Sequence, residues 1–215
     1  MKFDKSSLLL YAVTDRTWLQ GRSLADAVEE AIKAGVTLVQ LREKDLDYDS
    51  FVKLALEIKS VTDKYQIPYI INDSIDVAIA CGADGVHVGQ SDMKAADVRK
   101  LLGYEKILGV SVQTVEQAVK AEEEGADYIG VGSVFPTSTK SDAKSVSTDE
   151  LKEICKAVKI PVVAIGGISR DNAMELAGSG IDGIAVVSAI FAQDDITAAV
   201  KDLRKILSKV VSYET

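Results

Sequence analysis

Residues 162–188 read VVAIGGISRDNAMELAGSGIDGIAVVS, a stretch that contains one complete strand–helix–strand unit. Two short apolar runs rich in Val and Ile, Val162–Ile165 and Gly183–Val187, are typical of buried strands. Between them Arg170–Ala177 carries a helical pattern, and Gly178 stands where a left-handed residue often ends a helix. The stretch therefore predicts two parallel strands joined by a helical crossover.

The same alternation extends through the whole chain. Eight strand–helix units with parallel strands close into a single (β/α)8 TIM barrel of the α/β class, so we expect one catalytic domain over residues 1–215. The predicted strands are Leu8–Val13, Val36–Leu41, Ile67–Ile71, Gly85–Val88, Lys106–Val110, Tyr128–Val131, Val162–Ile165 and Gly183–Val187. The predicted helices are Ser23–Ala34, Asp49–Tyr65, Ser74–Ala80, Lys94–Leu101, Thr114–Glu124, Thr148–Ala157, Arg170–Ala177 and Ile196–Leu207.

A short Gly-x-Asp motif precedes three of these strands, at residues 82–85, 125–128 and 180–183. It marks turns from helix to strand, which lie on the bottom face of a barrel, where a structural role is expected. Chemistry is expected at the opposite face, where the strands end.

The amino-acid composition and the net charge disfavour several classes of ligand and indicate the cellular compartment. The 215 residues include 25 Lys+Arg and 33 Asp+Glu, a net charge of −8, which disfavours binding to nucleic acid or to a membrane. The two cysteines belong to no Cys-x-x-Cys or Cys/His group, which excludes a zinc site of that type. With no signal segment and no run of about 18 apolar residues, we expect a cytoplasmic protein.

The second predicted strand ends in Gln40-Leu41-Arg42-Glu43-Lys44. Because side chains alternate along a strand, Gln40, Arg42 and Lys44 should share the inner face with Val36 and Leu38. A bidentate arginine beside a lysine suits a phosphate or diphosphate. The alternative is a surface salt bridge with Glu43 or Asp45.

Acidic residues follow the next two strands. Asp73 comes after Asn72 at the end of the third strand, and Asp92 closes the Gly89-Gln90-Ser91-Asp92 segment after the fourth. Carboxylate oxygens beside phosphate-binding cations are the ligands that Mg²⁺ prefers. Either aspartate could instead cap the helix that follows it.

The remaining loops carry hydroxyl groups, glycines and two lysines. Residues 133–144 form a long loop that we interpret as a lid, with a flexible linker as the alternative. Gly166-Gly167 and Ser188 follow strands seven and eight, where barrels commonly bind phosphate. His87 lies within a strand, and either core packing or substrate contact remains open.

These groups include no evident nucleophile paired with a base, so the expected chemistry is electrostatic. Departure of a diphosphate, stabilised by cations and Mg²⁺, would use them.

Taken in order, the motifs resemble the thiamine phosphate synthase family. The resemblance extends from Tyr11 to about Leu207 and rests on seven segments: Gln40–Lys44, Asn72-Asp73, His87–Asp92, Gly109-Val110-Ser111, Pro136–Lys140, Ile165–Ile168 and Val186-Val187-Ser188. One visible departure is Ser133, which stands where many members have proline and which could alter the stiffness of the loop.

The resemblance implies that 4-amino-2-methyl-5-pyrimidinylmethyl diphosphate is joined to a thiazole phosphate, giving thiamine phosphate and diphosphate. It implies Mg²⁺ on Asp73 and Asp92, and catalytic roles for Ser111 and Lys140. Contacts to the pyrimidine diphosphate are implied for Gln40, Leu41, Arg42, Glu43, Lys44, Asn72, Ser111 and Lys140. Contacts to the thiazole phosphate are implied for Thr137, Ser138, Thr139, Gly167, Val187 and Ser188.

Two rival functions stay open at this point. A thiazole tautomerase shares the barrel and the thiazole phosphate site, yet needs no diphosphate and Mg²⁺ cluster. A carrier or sensor of thiamine phosphate would bind without turnover. Homo-oligomer formation and a carboxylate on the thiazole are likewise left open.

Overall fold

The computed structural model describes residues 4–19, 21–90, 92–137 and 145–211. Eight parallel strands pair in chain order and the eighth pairs with the first, which closes the barrel that the sequence predicts. The strands are β1 Leu10–Val13, β2 Leu38–Leu41, β3 Tyr69–Asn72, β4 Gly85–Val88, β5 Ile107–Val112, β6 Tyr128–Val131, β7 Val162–Ile165 and β8 Gly183–Val186.

Helices surround the strands. Among those in the described ranges, none is both long and apolar enough to cross a membrane. The α-helices are α1 Leu24–Ala34, α2 Tyr48–Tyr65, α3 Ile75–Cys81, α4 Ala95–Leu102, α5 Val115–Glu123, α6 Thr148–Ala157, α7 Ser188–Phe191 and α8 Ile196–Val210. Three 3-10 helices are Lys5–Leu8, Arg16–Trp18 and Ala173–Leu176.

Side-chain caps fix the starts of several helices. Ser23 and Thr114, the first residues of two predicted helices, are the N-caps of α1 and α5, since their hydroxyl groups accept the N–H groups of Asp26 and Gln117. Such caps satisfy backbone donors that have no partner inside the helix.

The predicted helix Arg170–Ala177 is wrong, because only the 3-10 helix Ala173–Leu176 forms there. The amide of Asn172 accepts the Ser169 N–H at 2.8 Å and donates to the Gly167 carbonyl at 2.9 Å. These side-chain bonds compete with the backbone bonds that an α-helix needs.

Four strand starts also lie later than predicted: β3 begins at Tyr69 instead of Ile67, β5 begins at Ile107 instead of Lys106, and β1 and β2 each begin two residues late. Leu8 ends a 3-10 helix, so β1 begins at Leu10. Val36 precedes β2 and packs in the layer between barrel and helices, so it does not share the inner face with Gln40.

The core has two layers. The larger lies between the strands and the surrounding helices. The smaller fills the barrel interior with side chains from alternating strand positions, among them Tyr11, Leu38, Ile70, Tyr128 and Val163. The barrel interior below the mouth is therefore filled by packed side chains.

The three Gly-x-Asp turns have the structural role expected of them. Asp84, Asp127 and Asp182 accept the N–H groups of Tyr69, Leu108 and Val162 at 2.8, 2.7 and 2.9 Å. Each aspartate thereby ties the turn before one strand to the start of the preceding strand.

Candidate active site

A cavity of about 600 Å³ opens at the carboxyl ends of the strands. Every one of the eight strands or the loop after it contributes to its lining. The sequence-predicted residues that line it are Gln40, Arg42, Lys44, Asn72, Asp73, Asp92, Ser111, Thr137, Gly167, Val187 and Ser188. The structure thus brings residues separated by more than a hundred positions into one mouth.

The two cations of β2 and its loop reach this cavity. The Lys44 Nζ lies 3.0 Å from Asp73 Oδ2. The Arg42 guanidinium has no ion-pair partner among the described residues, while its backbone N–H donates to Thr14 Oγ1 at 3.1 Å. An arginine held by its backbone and unpaired at its tip is suited to receive an anion.

Leu41 and Glu43 are placed differently. The Leu41 side chain is fully buried against the helices, so only its backbone could face a ligand. The Glu43 carboxylate accepts two hydrogen bonds of 2.8 Å from Arg16, and it does not line the cavity. This pairing also removes Glu43 as the salt-bridge partner of Arg42 or Lys44.

The two aspartates at the mouth do not cap helices. Ser74 caps α3, and Lys94 precedes α4. Asp73 has φ of 61°, a left-handed conformation that is uncommon for residues other than glycine and is often found at functional sites. Asp92 Oδ2 accepts the Gly89 N–H at 2.7 Å.

This donor set fits Mg²⁺. In the described ranges the side-chain hydrogen bonds of Asp73 and Asp92 involve Oδ2, so Oδ1 of each is available to ligate a cation. No group of three or more acidic, His or Cys side chains is assembled in the described part of the chain. Mg²⁺ in proteins is usually bound by one or two carboxylates, with water and substrate phosphate in its other coordination positions. The two aspartates match this pattern.

The loops after β7 and β8 form the opposite side of the mouth. Gly167 has φ of 67°, and a Cβ at this position would collide with the Pro136 carbonyl. Val187 and Ser188 stand at the start of α7, where the first backbone N–H groups lack intrahelical acceptors. Close backbone approach and available N–H groups are features of phosphate sites.

The long loop after β6 is anchored at both ends. The Ser133 hydroxyl donates to the Phe135 carbonyl, and the Ser133 carbonyl accepts the Val146 N–H at 2.8 Å. Thr137 lines the cavity. Ser138, Thr139 and Lys140 lie outside the described residues.

His87 belongs to a buried polar chain that crosses the barrel. Its Nδ1 lies 3.0 Å from the Tyr128 hydroxyl and its Nε2 lies 2.9 Å from Ser111 Oγ. The Tyr128 and Tyr11 hydroxyls are 2.8 Å apart, and Tyr11 accepts from Gln40 Nε2. Burial raises the pKa of both tyrosines, so both stay protonated near neutral pH.

Sequence reasoning missed the two tyrosines. One signal was present: Tyr128 occupies the fourth position of a Gly-x-Asp turn, where the other two copies have Gly85 and Gly183. A large polar residue at the first position of a strand, where the other two copies have glycine, indicates a side chain that fills the barrel interior.

Comparisons with known proteins show the family of this chain. A sequence model described as thiamine monophosphate synthase matches residues 10–190. The chain is 55% identical over 202 residues to a thiamine-phosphate synthase of Ruminiclostridium cellulolyticum, covering 94% of this chain and 96% of that one. It is 54% identical over 198 residues to one of Methanobrevibacter smithii, covering 92% and 94%. A solved thiamine phosphate pyrophosphorylase of Pyrococcus furiosus has a TM-score of 0.89 and 39% identity, covering 97% and 99%.

Proposed function

Because the chain belongs to the thiamine monophosphate synthase family, we propose that the barrel mouth joins a pyrimidine diphosphate to a thiazole phosphate. The chain is a transferase of thiamine biosynthesis that produces thiamine phosphate. The substrates we assign are 4-amino-2-methyl-5-pyrimidinylmethyl diphosphate and the phosphate of the hydroxyethyl thiazole, with or without a carboxylate. The observation that carries this assignment is that two cationic side chains, two carboxylates and the glycine-containing loops after β7 and β8 line one cavity.

The pyrimidine diphosphate is assigned to the side of the mouth built by β2 to β5. Arg42 and Lys44 face its phosphates, and Gln40, Asn72 and Ser111 lie deeper, where they can contact the ring and its methylene. Leu41 and Glu43 can contribute only through their backbone, given the directions of their side chains. Lys140 is assigned to the diphosphate on family resemblance.

The thiazole phosphate is assigned to the side built by the loops after β6, β7 and β8. Gly167, Val187 and Ser188 offer backbone N–H groups to its phosphate, and Thr137 lies beside them. Ser138 and Thr139 are assigned to the same substrate on family resemblance. The two substrates would thus meet above the barrel axis.

We assign a dissociative displacement. The bond between the pyrimidinylmethyl carbon and the diphosphate oxygen breaks, and its electron pair leaves with the diphosphate. The thiazole nitrogen then donates its lone pair to the cationic carbon, and a C–N bond forms. A thiazole that carries a carboxylate would in addition release it as CO2, and the carbon left behind would take up a proton from water. No proton has to be removed, which is consistent with a mouth whose charged groups are positioned for electrostatic stabilisation.

The cations of the chain oppose the charge that develops on the leaving group. Arg42 and Lys44 are positioned for this, and Asp73 and Asp92 would hold Mg²⁺. When bound, Mg²⁺ would supply charge neutralisation of the diphosphate. The Lys44–Asp73 ion pair keeps the lysine at the mouth before substrate arrives.

The rival readings explain less of this arrangement. A tautomerase that acts on thiazole phosphate alone would need neither the two cations, Arg42 and Lys44, nor the two carboxylates, Asp73 and Asp92. A carrier would need no site for a leaving group.

The test is incubation of the purified chain with both substrates and Mg²⁺. We expect thiamine phosphate and diphosphate in equal amounts. Thiazole phosphate alone should remain unchanged, and its conversion would instead support the tautomerase. Binding of the substrates without formation of either product would support the carrier. Either of these two results would contradict the synthase.

We assign residues 1–215 to one catalytic domain and the reaction to the cytoplasm. The eight strands and α8 extend from Leu10 to Val210, and Cys81 and Cys155 are free thiols, as is usual in a reducing compartment. We expect small phosphorylated molecules as partners, and no nucleic acid or membrane.

A further inference from the structure

The buried polar chain that crosses the barrel links two residues assigned to the pyrimidine diphosphate. It runs from Gln40 through Tyr11, Tyr128 and His87 to Ser111. Tyr128 is fully buried and does not line the cavity, whereas the other four residues do. Any effect of Tyr128 on substrate must therefore pass through its neighbours.

The sequence leaves room for this chain at two glycines. A Cβ on Gly109 would overlap both the Tyr128 hydroxyl and His87 Nδ1, and one on Gly130 would lie 3.2 Å from His87 Cε1. Side chains there would force His87 and Tyr128 apart. The contact between His87 and Tyr128 therefore depends on residues of three neighbouring strands, β4, β5 and β6.

The donors and acceptors of the chain have a direction. Gln40 donates to the Tyr11 oxygen, so the single hydroxyl proton of Tyr11 is directed to its other neighbour, Tyr128. Because Tyr128 accepts that proton, its own hydroxyl proton is directed to His87 Nδ1, which lies 3.0 Å away. A neutral imidazole that accepts at Nδ1 carries its proton on Nε2, and Nε2–H donates to Ser111 Oγ.

We propose that Tyr128 and Tyr11 are positioning residues that hold His87 in its Nε2–H tautomer and thereby turn the Ser111 hydroxyl proton toward the mouth. Ser111 would then donate to the pyrimidine diphosphate, while Gln40 is held by the other end of the same chain. The part that concerns substrate rests on the proposed function. The part that concerns the tautomer does not.

The tautomer can be read directly because His87 is the only histidine of the sequence. Nitrogen NMR of protein made with isotopically labelled histidine will report this ring alone. In the free protein near neutral pH we expect a protonated Nε2 and an unprotonated Nδ1. A proton on Nδ1 would overturn the proposal, whether or not the protein forms thiamine phosphate.

The variant Tyr128→Phe removes the donor to Nδ1 and changes no atom of the cavity lining. We expect the His87 ring to shift to a mixture of tautomers. We also expect kcat/KM for the pyrimidine diphosphate to fall on the order of 10-fold or more, because misdirected groups at a reacting centre lose rate. The KM for the thiazole phosphate should change by less than about twofold, which is smaller than the effect of losing one typical hydrogen bond.

The matched control is Tyr69→Phe. Tyr69 is also fully buried, but its hydroxyl donates to the Ala55 carbonyl at 3.2 Å in the layer outside the barrel. This control should lose a buried hydrogen bond without affecting the His87 tautomer or kcat/KM. Equal kcat/KM in the Tyr128 and Tyr69 variants would overturn the positioning role.

Tyr11→Phe serves as the second variant if Tyr128→Phe does not fold. It interrupts the chain between Gln40 and Tyr128 and leaves the Tyr128 to His87 contact in place. The proton of Tyr128 is then free to point either way, so the tautomer should again become mixed. An unchanged ring spectrum in this variant would show that Tyr11 sets no direction, and would overturn the proposal.

Discussion

At the scale of single residues, Asp92 has two roles. Its carboxylate accepts a backbone N–H within its own loop, and we propose that it also binds Mg²⁺. Asp92→Asn keeps an oxygen that can accept the Gly89 N–H, but it removes the charge that would hold Mg²⁺. We expect turnover to fall about 10²-fold and the Mg²⁺ concentration for half-maximal rate to rise. Steady-state rates over a Mg²⁺ series will measure both.

The control for this change is Asp97→Asn. Asp97 is exposed on α4 and pairs with Lys100 at 3.0 Å, away from the mouth. Its variant should behave as wild type. If Asp92→Asn showed the same Mg²⁺ dependence as this control, Asp92 would have no part in holding the metal.

Gly167 combines a left-handed backbone with a crowded surrounding. Gly167→Ala places a Cβ against the Pro136 carbonyl at the proposed thiazole phosphate site, so we expect affinity for that substrate to fall on the order of 10-fold. Affinity for the pyrimidine diphosphate should be retained, because its cations belong to β2 and its loop. Calorimetric titration of each substrate will test the division.

Gly178→Ala is the matched control, since Gly178 has φ of 74° but open space around it. It bears the same backbone strain, about 1 kcal/mol, without crowding the mouth. Equal loss of thiazole phosphate affinity in both variants would assign the effect to strain alone.

Lys140 is predicted from the sequence and lies outside the described residues. If it stabilises the charge of the departing diphosphate, its contribution is larger in the transition state than in the bound ground state. Lys140→Ala should then lower kcat on the order of 10²-fold while KM changes much less. Single-turnover kinetics will exclude a limit set by product release, and a change confined to KM would make Lys140 a binding residue only.

At the scale of elements, the Gly-x-Asp turns join strands at the bottom of the barrel. Asp182→Ala leaves the Val162 N–H without its acceptor, so the free energy of unfolding should fall by about 1–3 kcal/mol. Because the turn is remote from the mouth, kcat should be unchanged. Urea unfolding and steady-state rates measure the two, with the exposed Asp171→Ala as control.

A lowered kcat in folded Asp182→Ala would show that the bottom face is coupled to the mouth. That result would contradict the separation of stability and function between the two faces.

At the scale of the whole molecule, three fully buried tyrosines make stability sensitive to alkali. Burial raises the pKa of Tyr11, Tyr69 and Tyr128, whereas an unfolded chain loses each phenol proton near about pH 10. Above that pH the unfolded state binds fewer protons, so the free energy of unfolding falls as pH rises. The expected slope is about 1.4 kcal/mol per pH unit for each buried phenol.

Urea unfolding at about pH 8 and about pH 11 will measure this slope. Tyr69→Phe removes one of the three phenols, and its slope should be smaller than that of wild type. Identical slopes would show that Tyr69 ionises as readily in the folded protein as in the unfolded chain.

Local pattern was sufficient for the barrel and for the composition of the mouth. Alternating apolar runs and helical segments specify eight parallel strands, and the polar residues that follow strands must meet at their carboxyl ends. The prediction failed at Arg170–Ala177, where the side chains of Asn172 and Ser169 form hydrogen bonds with the backbone that no periodicity reveals.

The sequence by itself determined the fold class, the face that carries the site and the residue types at that face, because these depend on periodicity and on position along each strand. Only the tertiary structure decided which side chains pair inside the barrel. Tyr11, Tyr128, His87 and Ser111 come from four strands, and their contact depends on register and on the space left by Gly109 and Gly130. Register between distant strands is set by packing of the whole barrel, which no local segment contains.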